Sequence, residues 1–173
     1  MIRNALVLGL LLVVACSFAG GQQAKDEPQP VDNEFLTKVF TAGHKEVQLS
    51  KLADRQSRND KVKEFAQMMI DDHTKANQKV ADLLKARKLA VIAGTEKDFK
   101  DASAKLSKLE GEAFDREYMQ VMVQDHKEAV ALFENQTKSG KDADVISFAK
   151  DNLPTIRHHL EHAQKLASSV GVK

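Results

Sequence analysis

The chain has 173 residues, with 26 Lys and Arg against 25 Asp and Glu. This near-neutral balance argues against nucleic acid as a main partner, because phosphate binding needs a surplus of basic side chains on one surface. A hydrophobic content of 42% is enough to build the core of one domain. With 5% aromatic residues and no Trp, we expect an aliphatic helical core rather than a β-sandwich.

The first 19 residues resemble a signal peptide. Arg3 precedes an uncharged apolar run at residues 5–15, which is too short to span a bilayer comfortably. Two processing sites fit this segment. Val13-Val14-Ala15-Cys16 resembles a bacterial lipobox in which the cysteine becomes lipidated, whereas Ser17-Phe18-Ala19 resembles an ordinary signal peptidase site.

Either processing site predicts export, and the lipobox adds a lipid anchor. A lipidated Cys16 would tether the protein to a membrane, which predicts a periplasmic protein or an outer-membrane lipoprotein. Because Cys16 is the only cysteine, the rest of the chain has no thiol for a disulfide or a metal site. The polar residues 20–31 are expected to form a flexible linker to a helical domain at residues 32–170.

Apolar residues at helical spacing predict four long helices and one short helix in this domain. We expect an all-α, ferritin-like four-helix bundle of two repeated antiparallel hairpins, with the short helix in the crossover between them. Asp142 is expected to cap the last helix. The long helices are expected at residues 32–56, 60–88, 112–139 and 142–169, and the short one opens with a capping box at residues 95–98.

An internal repeat supports the two-hairpin arrangement. The segment from His73 to Ala81 parallels the segment from His159 to Ala167. The segments that begin at His44 and His126 both lead to a Phe-Ala pair, twenty-one and twenty-two residues further on. A second match at another offset leaves the pairing ambiguous, but similar helices clearly recur.

Each long helix carries a histidine near its middle, so the four lie at a similar height in the bundle. On a helical wheel of about 100° per residue, several polar side chains near this height project toward the apolar stripe. These inward residues form the candidate site: Glu46, His73, Asp125, His126 and His159, with Asp72 at the margin. His44, His158 and His162 are expected to point more outward.

Buried carboxylates and imidazoles are costly unless they are paired, and three interpretations of the candidate site follow. It is a hydrogen-bonded polar layer, a metal site built from facing helices, or a site for acid–base catalysis. The Glu-x-x-His motif of di-iron bundles is absent, since Ile70 and Val123 stand three residues before His73 and His126. The metal interpretation therefore favours a single divalent transition-metal ion, such as iron, copper or zinc.

Two other features lie near the same height. Met68, Met69, Met119 and Met122 would suit copper as thioether ligands, but methionine is also ordinary core filler, and we favour the core interpretation. Pro154 removes a backbone donor inside the last helix, which predicts a kink.

Three segments of the chain carry a recognisable pattern: residues 65–76 (FAQMMIDDHTKA), 114–118 (FDREY) with 125–127 (DHK), and 153–160 (LPTIRHHL). They resemble the exported bacterial DUF4142 family. The resemblance extends over residues 32–169 and implies a ferritin-like fold and an envelope location. The family supplies no established activity, so Asp72-His73, Asp125-His126 and His159 carry over only as a site without an assigned role.

These features predict an exported, envelope-associated bundle whose cluster of His and carboxylate side chains serves metal handling or envelope stress. One alternative is a structural or protein-interaction bundle that binds no metal, and another is a metal-dependent oxidoreductase. No catalytic motif is found, so we expect binding or structure before catalysis. The expected partners are a membrane, through Cys16, and further copies of the chain in a homo-oligomer.

Overall fold

The computed structural model describes residues 30–90 and 97–172, and these residues form five helices and no strand. The ends of the four long helices differ from the sequence expectation by no more than two residues. The expected signal peptide with Cys16, most of the linker and the first half of the capping box lie outside the described residues. The helices are α1 (Pro30–Gln56), α2 (Asp60–Ala86), α3 (Lys97–Leu106), α4 (Gly111–Ser139) and α5 (Ala143–Ser169).

Polar side chains cap the starts of α2 and α5. The Asn59 side chain accepts a hydrogen bond from the backbone N–H of Lys61 at 3.0 Å. Asp142 accepts bonds from the backbone N–H groups of two residues in the first turn of α5, as the sequence predicts. Each cap satisfies backbone donors that a helix start leaves open and contributes about 1 kcal/mol. The helix α5 continues through Pro154.

The contacts between α1 and α4 show that these helices run antiparallel. Lys45 Nζ donates to Asp125 Oδ1 at 2.8 Å. One to two turns further along α1, Ser50 Oγ lies 2.8 Å from the hydroxyl of Tyr118, which comes earlier in α4. Since α1 also pairs with α2 as a hairpin, α2 and α4 must be parallel.

The second pair, α2 and α5, is antiparallel as well. Phe65 packs edge-on against His162, with ring centroids 5.3 Å apart, while Arg87 at the other end of α2 forms an ion pair with Asp142. The connection at residues 87–110 therefore has to travel the length of the bundle, because it joins two parallel helices. This long crossover between two hairpins is the ferritin-like topology that the sequence predicts.

Two apolar clusters fill the bundle, one toward each end, and a polar layer separates them. The first cluster contains Leu49, Ala53, Val62, Phe65, Ala66, Met69, Leu106, Phe114, Tyr118, Met119, Met122, Ala163, Leu166 and Ala167. The second contains Phe35, Leu36, Val39, Phe40, Val80, Leu84, Phe133, Val145, Phe148, Ala149 and Ile156. The polar layer between them consists of Glu46, His73, Asn77, His126 and His159, all of them buried.

The methionines belong to the first apolar cluster. Met69, Met119 and Met122 are fully buried there, and Met68 packs against it. This packing supports the core interpretation of these residues. Among the described residues, no helix is both long enough and apolar enough to cross a bilayer.

Gly43 allows α1 and α2 to approach closely beside the polar layer. A Cβ at this position would clash with Oδ1 of Asn77, which is itself buried. In an open helix, Gly43→Ala would stabilise by roughly 1 kcal/mol, but here we expect the clash to outweigh that gain and to destabilise the protein by about 1–2 kcal/mol. Urea denaturation measures the difference.

The matched control is Gly43→Ala in an Asn77→Ala background, where the clashing side chain is absent. There the substitution should become neutral or stabilising. The same loss of stability in both backgrounds would show that Asn77 is not the obstacle.

Candidate metal centre

Four helices each contribute one buried polar side chain to the middle of the bundle. Glu46 comes from α1, His73 from α2, His126 from α4 and His159 from α5, with exposed fractions of 3%, 7%, 0% and 1%. The three imidazole rings form a triangle with centroids 5.4, 5.5 and 5.6 Å apart. Four of the five residues in the predicted candidate site therefore lie together.

Polar contacts with Glu46 and with the backbone of α4 orient the rings of His73 and His126. Glu46 Oε2 lies 3.1 Å from Nδ1 of His73, and Glu46 Oε1 lies 3.5 Å from Nδ1 of His126. Nδ1 of His126 is also 2.9 Å from the carbonyl oxygen of Met122. We assign the hydrogen of both rings to Nδ1, because each of these nitrogens faces acceptors, and this leaves a lone pair on each Nε2.

The third ring, His159, is held by a carboxylate from the neighbouring helix α2. Its Nε2 lies 3.1 Å from Oδ2 of Asp72, so Nε2–H donates and the lone pair lies on Nδ1. On the helical wheel Asp72 lies at the margin of the candidate site. Its role appears only when α2 and α5 pack together and bring the two side chains into contact.

Each ring has one buried nitrogen without a hydrogen-bond partner among the described residues: His73 Nε2, His126 Nε2 and His159 Nδ1. Leaving a buried polar atom unsatisfied costs about 1–3 kcal/mol, so three in one place need an explanation. One ring nitrogen from each histidine lies within 4.8 Å of one from each of the others. Nitrogens that share an ion at about 2.0 Å are roughly 3.5 Å apart, so a contraction of about 1 Å would complete a three-nitrogen site.

Burial also favours the neutral, ligating form of the rings. Desolvation lowers the pKa of His73, and the nearby His126 acts in the same direction against the opposing charge of Glu46. Desolvation, together with the other two imidazoles, lowers the pKa of His159 to about 4. At neutral pH these two rings therefore carry lone pairs rather than charges.

Asp125, the fifth predicted site residue, is turned toward α1. Its Oδ1 accepts the 2.8 Å bond from Lys45, while its Oδ2 is buried and has no partner among the described residues. Burial raises the pKa of Asp125, and Lys45 opposes that shift. Asp125 is thus an ion-pair partner at the edge of the centre and does not join the triangle of rings.

The other histidines lie outside the triangle, as the wheel predicts. Nδ1 of His44 is 2.9 Å from the carbonyl oxygen of Phe40 in its own helix. His158 is exposed and His162 is half-buried, and both lie on one flank of α5 beside His159.

A cavity of about 510 Å³ lies beside the centre. Glu46 and His73 both line it, together with Lys45 and Asp125, and Phe99 of α3 contributes to its wall. The centre is therefore buried but borders a space large enough for solvent and small ions on the Glu46 side.

The lowered pKa of His159 predicts that the metal-free protein loses stability in mild acid. An unfolded histidine titrates near 6.5, so the fold favours the neutral ring, and that contribution is full above pH 6.5 and is lost as the pH falls toward 4. Between pH 7.5 and 5 the loss from this group should be about 2 kcal/mol, measured by urea denaturation at each pH. The variant His159→Gln removes the titrating group and should lose correspondingly less stability between pH 7.5 and 5. An equal loss of stability would show that other groups cause the effect.

The fold and the centre define a class: an all-α, ferritin-like bundle in which three buried imidazoles face one another at mid-height. The chain belongs to the family described as Domain of unknown function (DUF4142), whose sequence profile matches residues 17–166. No curated protein matches the chain significantly.

Several solved structures share the fold at low sequence identity. A DUF305 fragment from Deinococcus radiodurans is similar with a TM-score of 0.73 and 15% identity, covering 82% of this chain and 97% of that one. A DUF305 protein from Streptomyces coelicolor, described as a predicted secreted protein, has a TM-score of 0.72 and 14% identity over 83% of this chain and 94% of its own. CopM in its Cu(I)-bound form has a TM-score of 0.68 and 15% identity, covering 82% of this chain and 98% of that chain.

Proposed function

We propose that the protein binds one transition-metal ion at the centre of its bundle, with copper preferred over zinc. The ligands are Nε2 of His73, Nε2 of His126 and Nδ1 of His159. The observation that carries the proposal is that each of these nitrogens is buried and lacks a hydrogen-bond partner among the described residues. An ion would use all three lone pairs and remove the cost of leaving them unsatisfied.

The donor set favours copper or zinc over iron. Imidazole suits both copper and zinc, and copper lies above zinc in intrinsic affinity for nitrogen ligands. The di-iron arrangement needs carboxylate ligands. Here the carboxylates of Glu46 and Asp72 contact ring nitrogens that are not the proposed ligand atoms. Carboxylates in that position orient histidine ligands, make them more basic and compensate the charge of a bound cation. The similarity to CopM, whose structures include Cu(I)-, Cu(II)- and Ag-bound forms, is consistent with this choice.

A structural polar layer is the second candidate function. The observation in its favour is that Glu46 and Asp72 already satisfy one nitrogen each on His73 and His159 without any ion. A purely structural layer would, however, be expected to satisfy the other nitrogens too, because unpaired buried polar atoms are rare in native proteins.

The deciding experiment is the metal content of the purified protein after challenge with copper, zinc and iron. We expect about one tightly bound equivalent of copper at this centre in the wild type and none there in His73→Ala/His126→Ala. The single variant His159→Ala, which removes one ligand, should bind more weakly and guards against loss of the fold in the double variant. Circular dichroism of each metal-free variant confirms that it is folded.

His44→Ala is the matched control, because it removes a histidine that makes only a local hydrogen bond outside the triangle. It should retain the full metal content. Absence of metal in the wild type after all three challenges, with a large loss of stability in the double variant, would make the centre a structural layer.

We also propose that the protein is exported and tethered to a membrane through Cys16. The apolar run before Cys16 and the lipobox-like sequence around it support this proposal, and so does the description of the Streptomyces coelicolor neighbour as a predicted secreted protein. In a bacterial host, Cys16→Ser should move the exported protein from the membrane fraction to the soluble fraction. An unchanged distribution would favour processing after Ala19.

A further inference from the structure

A second pair of histidines lies on one flank of α5, beside the face that carries His159. His158 and His162 are four residues apart, so they lie on the same face of the helix, one turn from each other. Their ring centroids are 6.3 Å apart and the rings are inclined at 48°. Within residues 30–90 and 97–172, neither ring makes a hydrogen bond or an ion pair, so no protein group competes with a ligand for their nitrogens.

The two rings differ in their environment, because His162 packs against α2 whereas His158 is exposed. His162 rests edge-on against Phe65 of α2 at 5.3 Å, and Phe65 is fully buried. Burial lowers the pKa of His162, with the charges of His158 and Lys165 in the same direction and that of Glu64 opposed. The neighbouring ring of His158 is exposed, and its centroid already lies 6.3 Å from that of His162.

We propose that His158 and His162 form a second, solvent-exposed site for a divalent transition-metal ion of the Cu(II), Ni(II) or Zn(II) class. Two imidazoles at this spacing on a helix can chelate one ion, as the two histidines of a helical zinc motif do. Water molecules complete the coordination, and Glu64 of α2 contributes negative charge nearby. Glu161, between the two histidines, is not required, because it is paired with Lys165 at 2.6 Å.

The exposed pair shares no side chain with the three-histidine centre, so the two sites are independent proposals. It is nevertheless close to that centre, because the ring centroids of His158 and His159 are 6.5 Å apart. With two protein ligands in contact with water, the exposed site binds more weakly than a buried site with three ligands.

The test is calorimetric titration with Cu(II) of the wild type, of His158→Ala/His162→Ala and of His73→Ala/His126→Ala. We expect two equivalents in the wild type, only the tighter one in the exposed-pair variant and only the weaker one in the buried variant. If the buried centre binds nothing, the wild type should still bind one equivalent that disappears in His158→Ala/His162→Ala. The proposal is overturned if that variant binds Cu(II) with the stoichiometry and affinities of the wild type.

A spacing variant separates chelation by the pair from adventitious binding to single surface histidines. His162→Ala/Gln164→His keeps the number of histidines but moves one to an exposed position six residues from His158, on a different face of α5. It should lose the weaker equivalent as completely as the double alanine variant does. Retention of that equivalent would show that single histidines suffice and would contradict the site.

Discussion

Copper at a free concentration about 1,000 times its dissociation constant should raise the free energy of unfolding by about 4 kcal/mol. The physical reason is that the three ligands come from α2, α4 and α5 and meet only when the bundle is folded. The unfolded chain keeps the same histidines but loses their arrangement, so the ion binds the folded state preferentially. For a domain of this size, the gain corresponds to a rise of about 8–16 °C in the melting temperature, measured by scanning calorimetry.

The controls separate the buried centre from other copper sites. His73→Ala/His126→Ala should lose most of the shift, whereas His44→Ala should keep all of it. Both variants retain His158 and His162, so any contribution from that exposed pair is common to them. An equal rise in the wild type and the double variant would contradict a copper site at the triangle of rings.

The fold could be predicted from the sequence because its determinants are local. Apolar periodicity gave the four long helices, and Asp142 marked the start of α5 through a side chain that bonds only its own first turn. The connection at residues 87–110 could be recognised as a crossover because it is long enough to run from one end of the bundle to the other. These features depend on neighbours in sequence, so they do not require knowledge of which helices pack together.

The candidate site could be predicted only where the apolar pattern of a single helix determines which way a side chain points. Glu46 and His73 face inward because they lie near the centres of the apolar stripes of their own helices, whereas His126 flanks its stripe by as much as Asp125 does. Asp125 and Asp72 lie at the edges of such stripes, and their roles depend on the neighbouring helix. Lys45 of α1 pairs with the first, whereas His159 of α5 bonds the second.

The repeated Asp-His pair shows why the rest could not be deduced. Asp72-His73 and Asp125-His126 have the same local sequence, and both histidines join the triangle. Their aspartates nevertheless have different partners, because α2 packs on α5 while α4 packs on α1. The hydrogen positions on the rings depend on the same contacts, and no sequence pattern specifies them.

Asp32→Ala should destabilise the protein by about 3–5 kcal/mol, which is the largest effect we expect from a single substitution away from the centre. Asp32 is fully buried in the first turn of α1, at the end of the bundle where α4 turns into α5. Its Oδ1 accepts a bond of 2.5 Å from the Gln136 side chain and one of 3.1 Å from the backbone N–H of Lys141. Its Oδ2 accepts from the backbone N–H of Asp142 at 3.1 Å.

The loss is large because the substitution leaves three donors without their acceptor: the buried side chain of Gln136 and two partly buried backbone N–H groups. Asp142, whose backbone Asp32 holds, also caps α5 and forms the ion pair with Arg87 at the end of α2. One carboxylate thus ties α1 to the α4–α5 turn and, through Asp142, to α2. Asp32→Asn keeps one acceptor oxygen and should cost about half as much, as measured by urea denaturation.

Glu34→Ala is the matched control for Asp32→Ala, because Glu34 is an exposed carboxylate two residues away whose partner, Lys38, is on the same helix. It should leave the unfolding midpoint unchanged. The Asp32 variants lie far from the triangle of rings, so their folded fraction should bind copper with unchanged affinity. A loss below about 1 kcal/mol in Asp32→Ala would mean that water replaces the carboxylate and that the end of the bundle is less closed than its hydrogen bonds indicate.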